Sequence, residues 1–229
     1  PAAWRPVALA NASDEDPGVA LDGSLVPDDG LETGDSYRVT SAVLNVTAAA
    51  LAKSGTDDPA DIERKYTQLP GTTPDRVAER TGEITAGADN RYETARAVES
   101  WLLDNREYSL TVDRPDGNVA EAFLFEMERG YCVYYATTMV VMLRSQDVPA
   151  RLTVGYTPGE EVENGTYRVR GYNSHAWVEV YFPEQGWVAF DPTPAGPRQA
   201  AEQAIVNSTV STAVDTETEI PIGANRETP

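Results

Sequence analysis

The chain has 229 residues, is 41% hydrophobic and carries a net charge of −19, enough for one good-sized domain with extensions or for two small domains. That charge excludes nucleic acid as a partner, because phosphate contacts need a basic patch. A single cysteine and a single histidine exclude an internal disulfide and a cysteine-based zinc site, so neither a metal nor a cofactor is expected.

No apolar run approaches the roughly 18–20 residues that a membrane span requires. Of the 18 basic residues only Lys53 and Lys65 are lysine, the rest being arginine. Many carboxylates with almost no lysine fit a protein that works in high salt, where like charges are screened over roughly 3 Å at 1 M and a hydrated acidic surface maintains solubility. Four Asn-x-Ser/Thr sequons, at Asn11, Asn45, Asn164 and Asn207, point to an exterior location.

Residues 1–35 read as a linker, since Asn11 to Gly18 and Pro27 to Gly30 are turn clusters without periodicity. The start, without a methionine, reads as a piece of a longer chain. Residues 36–90 read as an N-terminal strand and helices. A strand is expected within Tyr37–Val46, which is rich in β-branched residues. Asp58-Pro59 opens a short helix through Tyr66, and Thr73-Pro74-Asp75 starts another that carries Val77 and Ile84. Arg91 to Leu103 is a third, with Ala95, Val98, Trp101 and Leu102 as its core stripe. Asn118-Val119-Ala120-Glu121 caps a fourth.

Gly130 separates that fourth helix from the stretch on which the chain is centred. From Cys132, apolar residues recur at Tyr135, Ala136, Met139, Val140 and Leu143, one face of a helix with Cys132 in its first turn. Gly130 suits a sharp entry into that helix. Free backbone N–H groups and the positive end of the helix dipole stabilise negative charge on the sulfur. The position suits a nucleophile, yet taken alone a lone cysteine on an apolar helix face is more often a small buried hydrophobe.

Beyond this helix the period changes from 3.6 to 2. Strands are expected over Pro149–Tyr156, Thr166–Arg170, Ser174–Phe182 and Trp187–Asp191, with residues 158–165 as a polar loop. Asp191-Pro192-Thr193-Pro194 ends the last strand. Residues 198–229, without a clear apolar face, read as a polar tail or tether. Helices followed by an antiparallel sheet make the fold α+β.

His175 begins one strand and Asp191 ends the next. Alternation puts His175, Trp177, Glu179 and Tyr181 on one face, and Trp187, Ala189 and Asp191 share it if Tyr181 pairs with Trp187. A slip of one residue would turn Asp191 to the wrong side. If the cysteine helix packs across that face, Cys132, His175 and Asp191 converge. Such a trio transfers acyl groups: imidazole takes the thiol proton and returns it to a leaving group, and the carboxylate holds the ring.

Four blocks, Gly130-Tyr131-Cys132 with its Ala-Thr helix, Val148-Pro149-Ala150-Arg151-Leu152-Thr153-Val154-Gly155-Tyr156, Ser174-His175-Ala176-Trp177-Val178-Glu179-Val180, and Gly186-Trp187-Val188-Ala189-Phe190-Asp191-Pro192-Thr193, closely resemble the transglutaminase-like superfamily. They lie nearest its membrane-anchored bacterial and archaeal branch, over a core of residues 91–197. The resemblance implies a papain-like fold with Cys132 as nucleophile, His175 as base and Asp191 as orienter, acting on a protein or peptide substrate. It also implies a parent chain anchored by membrane helices, with this part on the extracellular face. Many relatives carry Glu-His directly after the cysteine where this chain has Val133-Tyr134. Several papain-like enzymes use an upstream Gln or Trp as an oxyanion donor; the stretch just before Cys132 has neither, so the Cys132 backbone N–H is the one donor assigned.

An acyl-thioester at Cys132 can pass to an amine or to water, and the triad does not choose between them; scarce lysine tilts the reading towards hydrolysis or a non-lysine amine. The alternative is a catalytically silent module that binds a peptide or an envelope polymer. A metal-dependent hydrolase fails for lack of ligands.

Overall fold

A computed structural model describes residues 44–215 without a break and, before them, residues 6–10, 18–19, 25–26, 33–34 and 36–42. Residues 1–50 and 51–229 form two compact units.

In the first unit β1 (Pro6–Ala10), β2 (Gly18–Val19), β3 (Leu25–Val26) and β4 (Arg38–Ser41) make two antiparallel pairs, β1 with β4 and β2 with β3. Here the structure departs from the linker expectation for residues 1–35. The partner of β1 lies some thirty positions along the chain, with Leu9 opposite Val39, and a pairing of that range leaves no local period to read. The turn clusters at 11–17 and 27–30 lie outside the described residues. The strand expected within Tyr37–Val46 forms over Arg38–Ser41, and α1 (Ala48–Ala52) follows it.

The second unit opens with α2 (Ala60–Tyr66), α3 (Asp75–Ile84) and α4 (Arg91–Asn105), where proline punctuation and caps placed them. Asn90 Oδ1 accepts the Glu93 backbone N–H at 3.0 Å to start α4. The buried stripe of α4 corrects the expected one. Ala95, Val98 and Leu102 are buried, but so are Arg91 and Glu99, whereas Trp101 stays half-buried beneath the guanidinium groups of Arg106 (4.8 Å) and Arg80 (5.6 Å). Arg91 makes a two-pronged ion pair with Asp58 (2.8 and 2.6 Å) and donates to the Tyr181 carbonyl. Arg91 therefore ties α4 to the sheet, and Asp58, besides preceding a helix, holds that arginine in place.

Next come β5 (Glu107–Tyr108), α5 (Val119–Phe125), capped by Asn118 on Glu121 N–H at 3.0 Å, and β6 (Arg129–Gly130), which runs parallel to β5. The central α6 (Cys132–Arg144) is buried on more than the one face that its period marked: Tyr134, Thr138 and Met142 are buried alongside Tyr135, Ala136, Met139, Val140 and Leu143. It packs against α3, α4 and α5, and also against the sheet. No side chain caps its start. Burial of each large apolar side chain is worth roughly 1.5–3 kcal/mol, more than the roughly 1 kcal/mol of a cap, so packing holds this helix without a side-chain cap.

Gly130 serves a different purpose from the one expected. Its φ is not positive; a Cβ there would stand 2.7 Å from the Phe123 ring and 2.9 Å from Tyr134 Cβ. The glycine admits the aromatic packing that sets the cysteine helix against α5.

The sheet has three antiparallel strands in the order β11 (Gly186–Phe190), β10 (Ser174–Phe182), β7 (Ala150–Tyr156). Tyr181 pairs with Trp187, the register expected, and pairing ends at Val178 opposite Phe190. Both faces of β10 are covered: Val178, Val180 and Phe182 are fully buried on one, Glu179 and His175 on the other. Glu179 pairs with Arg151 at 2.7 Å, and Arg151 lies 4.3 Å over the Trp187 ring. The expected polar loop at 158–165 contains a strand, β8 (Glu160–Glu163), which forms a separate ribbon with β9 (Thr166–Arg168).

The tail reading is also corrected. Residues 195–215 form α7 (Ala195–Asp215), which packs on a 3-10 turn at Gly171–Asn173, where Asn173 Nδ2 donates at 3.1 Å to Glu202, itself paired with Arg198 one turn back in the helix. These contacts are polar and long-range, so no apolar stripe announced them. Residues 216–229 lie outside the described ones. Among the described residues no helix is long and apolar enough to cross a membrane.

Candidate active site

Three segments meet where β10 runs beyond its partner β11. Cys132 and His175 line one cleft of about 560 Å³. The cysteine is the first residue of α6 and partly exposed; a thiol there sits among first-turn N–H groups, in the positive field of the helix end. It is partly exposed, not fully buried as the hydrophobe reading had it.

His175 is 8% exposed, and its Nε2 lies 2.8 Å from Asp191 Oδ2. A carboxylate can only accept, so Nε2 carries a hydrogen in either charge state, and the ring gains or loses its second proton at Nδ1. Nδ1 is buried and has no hydrogen-bond partner; it is the nitrogen left for the Cys132 thiol. Burial by itself would lower the ring's pKa, but the bond to Asp191 and the nearby Cys132 outweigh it and raise the value to about 9. The opposite balance holds at Asp191: burial pushes upward, while His175 and the Thr193 backbone N–H (3.1 Å to Oδ1) bring its pKa below the ordinary carboxylate range.

Sequence reasoning missed the supports of this pair. Glu99, from α4, accepts the Asp191 backbone N–H at 3.0 Å and pairs with Arg96. Burial raises its pKa, against the pull of Arg96. The signal was present: Glu99 falls four residues after Ala95, on the apolar stripe. Gly155 pairs with His175 across the sheet, and a Cβ there would meet the Trp177 ring at 2.8 Å. Its bareness lets the indole lie stacked beside the imidazole, at 6.2 Å and 27°.

Helix-borne thiol and braced imidazole thus share one cleft. Residues 78–192, half of the chain and including Cys132, His175 and Asp191, match the sequence profile described as the transglutaminase-like superfamily. The chain belongs to the transglutaminase-like superfamily. It is 43% identical over 138 residues to the uncharacterized protein YebA of Bacillus subtilis, covering 56% of this chain and 19% of that protein. It is 39% identical over 103 residues to a protein-glutamine gamma-glutamyltransferase of Pseudomonas aeruginosa, covering 43% of this chain and 15% of that protein. The crystal structure of the periplasmic domain of TgpA from Pseudomonas aeruginosa aligns with a TM-score of 0.54 at 29% identity, covering 64% of this chain and 51% of that one. The chain thus spans about a fifth or less of the curated relatives it matches. Its α+β fold is the papain-like one of this superfamily, with Cys132 at the start of a helix packed on the antiparallel sheet that carries His175 and Asp191.

Proposed function

We propose that the chain catalyses acyl transfer from a protein or peptide amide through a thioester on Cys132, with residues 91–197 as the catalytic core. The thiol proton sits on His175 Nδ1, the imidazolium form that its raised pKa favours, and the sulfur attacks the amide carbonyl. The carbonyl electron pair moves onto oxygen, then returns as the C–N bond breaks, and the imidazolium gives its proton to the departing nitrogen. In the second half an amine or water attacks the thioester, His175 takes its proton, and the C–S bond breaks to restore the thiol. Asp191 keeps the ring turned and stabilises the imidazolium between these steps.

The observation that carries this reading is the orientation of His175, bound at Nε2 by Asp191 while Nδ1 stays unpartnered in the cleft it shares with Cys132. Iodoacetamide tests it: rapid, pH-dependent alkylation of Cys132 that is lost in His175→Ala is expected, and sluggish labelling in both would replace the enzyme with a silent binding module. Incubation in high salt with casein and dansylcadaverine then separates the outcomes. Peptide release exceeding label incorporation is expected, since a lysine-poor chain fits a setting with few lysine acceptors; the reverse would make amine transfer the activity. Likeness to a periplasmic domain supports a location outside the membrane, anchored by flanking segments of a longer chain, and the acidic, lysine-poor composition supports work in high salt.

A further inference from the structure

The Cys132 backbone N–H supplies one donor for the oxygen of a tetrahedral intermediate, and such sites work with two. Parallel pairing of β5 with β6 sets Tyr108 opposite Gly130, two residues before Cys132. That register is tied down on both sides: the Glu107 N–H donates to the Glu128 carbonyl at 2.9 Å and the Ser109 N–H to the Gly130 carbonyl at 2.8 Å. The chain cannot shift at Tyr108 without breaking them. Tyr108 thus stands beside the start of the cysteine helix on a fixed backbone, and its side chain lines the same cleft as Cys132 and His175.

We propose that the Tyr108 hydroxyl is the second oxyanion donor, completing with the Cys132 N–H the hole that the sequence left half assigned. The inference rests on the acyl-transfer reading and deepens it. When the sulfur bonds to the carbonyl carbon, the C=O pair becomes a charge on oxygen. A neutral phenol beside the sulfur donates to that charge and needs no proton transfer of its own. The phenol is kept neutral: burial first, then the neighbouring Cys132, push its pKa up to about 12, with Arg198 opposing and Glu202 adding to the rise. It therefore remains a donor throughout the range in which His175 titrates.

Tyr108→Phe in the full chain tests the assignment, because it removes one oxygen and leaves the ring's packing. With p-nitrophenyl acetate as the acyl donor, kcat should fall about 10²–10³-fold with KM changed less than about threefold. Binding of the peptide aldehyde leupeptin, whose adduct with Cys132 carries the same tetrahedral oxygen, should weaken in step. Alkylation by iodoacetamide, which forms no oxyanion, should keep its wild-type rate. Turnover and aldehyde binding in Tyr108→Phe within about threefold of wild type would overturn the Tyr108 assignment alone. A wild-type chain that neither turns over the ester nor binds the aldehyde would overturn the acyl-transfer reading and this inference together. Equal losses in alkylation and turnover would make Tyr108 a packing residue.

Discussion

The two ends of β10 are built for different ends. At the Phe182 end the strand has neighbours on both edges and its charged surroundings are paired: Arg91 with Asp58 and the Tyr181 carbonyl, Arg151 with Glu179 and the Trp187 ring. At the His175 end β11 has stopped at Phe190. The strand is flanked only by β7, and a buried ring nitrogen is left without a partner. Polar groups satisfied within the protein hold a fold in place, whereas one left unsatisfied and held rigid is available to a reacting molecule. The contrast teaches that a single strand can anchor the domain and present chemistry, provided pairing ends between the two.

That contrast can be broken at either end. Cys132→Ala should lower acyl-transfer turnover about 10⁴-fold or more while leaving the midpoint of urea unfolding in place; a lowered midpoint would mean that the open end also carries stability. Arg91→Met should do the reverse. It strands the buried Asp58 carboxylate, at a cost of roughly 3–5 kcal/mol measured by urea denaturation, with kcat per folded molecule retained.

The pH dependence sharpens the comparison. His175 has a folded pKa of about 9 against an ordinary 6.5, so protons bind more tightly to the folded form. Its stabilisation, on the order of 3 kcal/mol from that gap, is fully present below pH 6.5 and lost as pH rises through 9. The carboxylate runs the other way: the lowered pKa of Asp191 gives stability at neutral pH that is lost as pH falls through its folded value. Unfolding free energies measured from pH 6 to 10 should therefore decline for wild type and stay flatter for His175→Gln. Asp191→Asn should move the alkaline limb of activity to lower pH, because burial then dominates the ring.

The smallest effect is expected at the brace between the ends. Glu99→Ala leaves the Asp191 N–H without its acceptor, a loss of about 1–3 kcal/mol that should appear as a roughly tenfold fall in kcat at nearly constant KM. Glu99→Gln keeps an acceptor oxygen and should restore most of the rate. Failure of the glutamine to rescue would assign the effect to the ion pair with Arg96.

Much of this was legible in the chain itself. Period 3.6 after Cys132, period 2 after Pro149 and the Gly186 turn were enough to place α6, β7, β10 and β11 and to choose the Tyr181–Trp187 register, because side-chain period and turn length are local properties. The sequence misled wherever a local rule was overruled from a distance. Trp101 looked like core by spacing, yet two arginines cover it, and Glu99 took the buried place because an N–H from residue 191 needed it. Gly130 and Gly155 are glycines for the sake of rings at Phe123 and Trp177, which no turn rule reveals. The tail after Ala195 looked featureless because polar contacts to Asn173 dock its start.

By itself, then, the order of residues determined the element types, the pairing parity that keeps Asp191 on the histidine's side of the sheet, and which three side chains could form the trio. Only the tertiary structure decided which imidazole nitrogen faces the thiol, that Glu99 braces Asp191, and that Tyr108 stands at the mouth of the cysteine helix. The reason is physical: periodicity and turns act within a few residues, whereas hydrogen-bond satisfaction and the exclusion of a Cβ are settled between segments that meet only when the chain is folded.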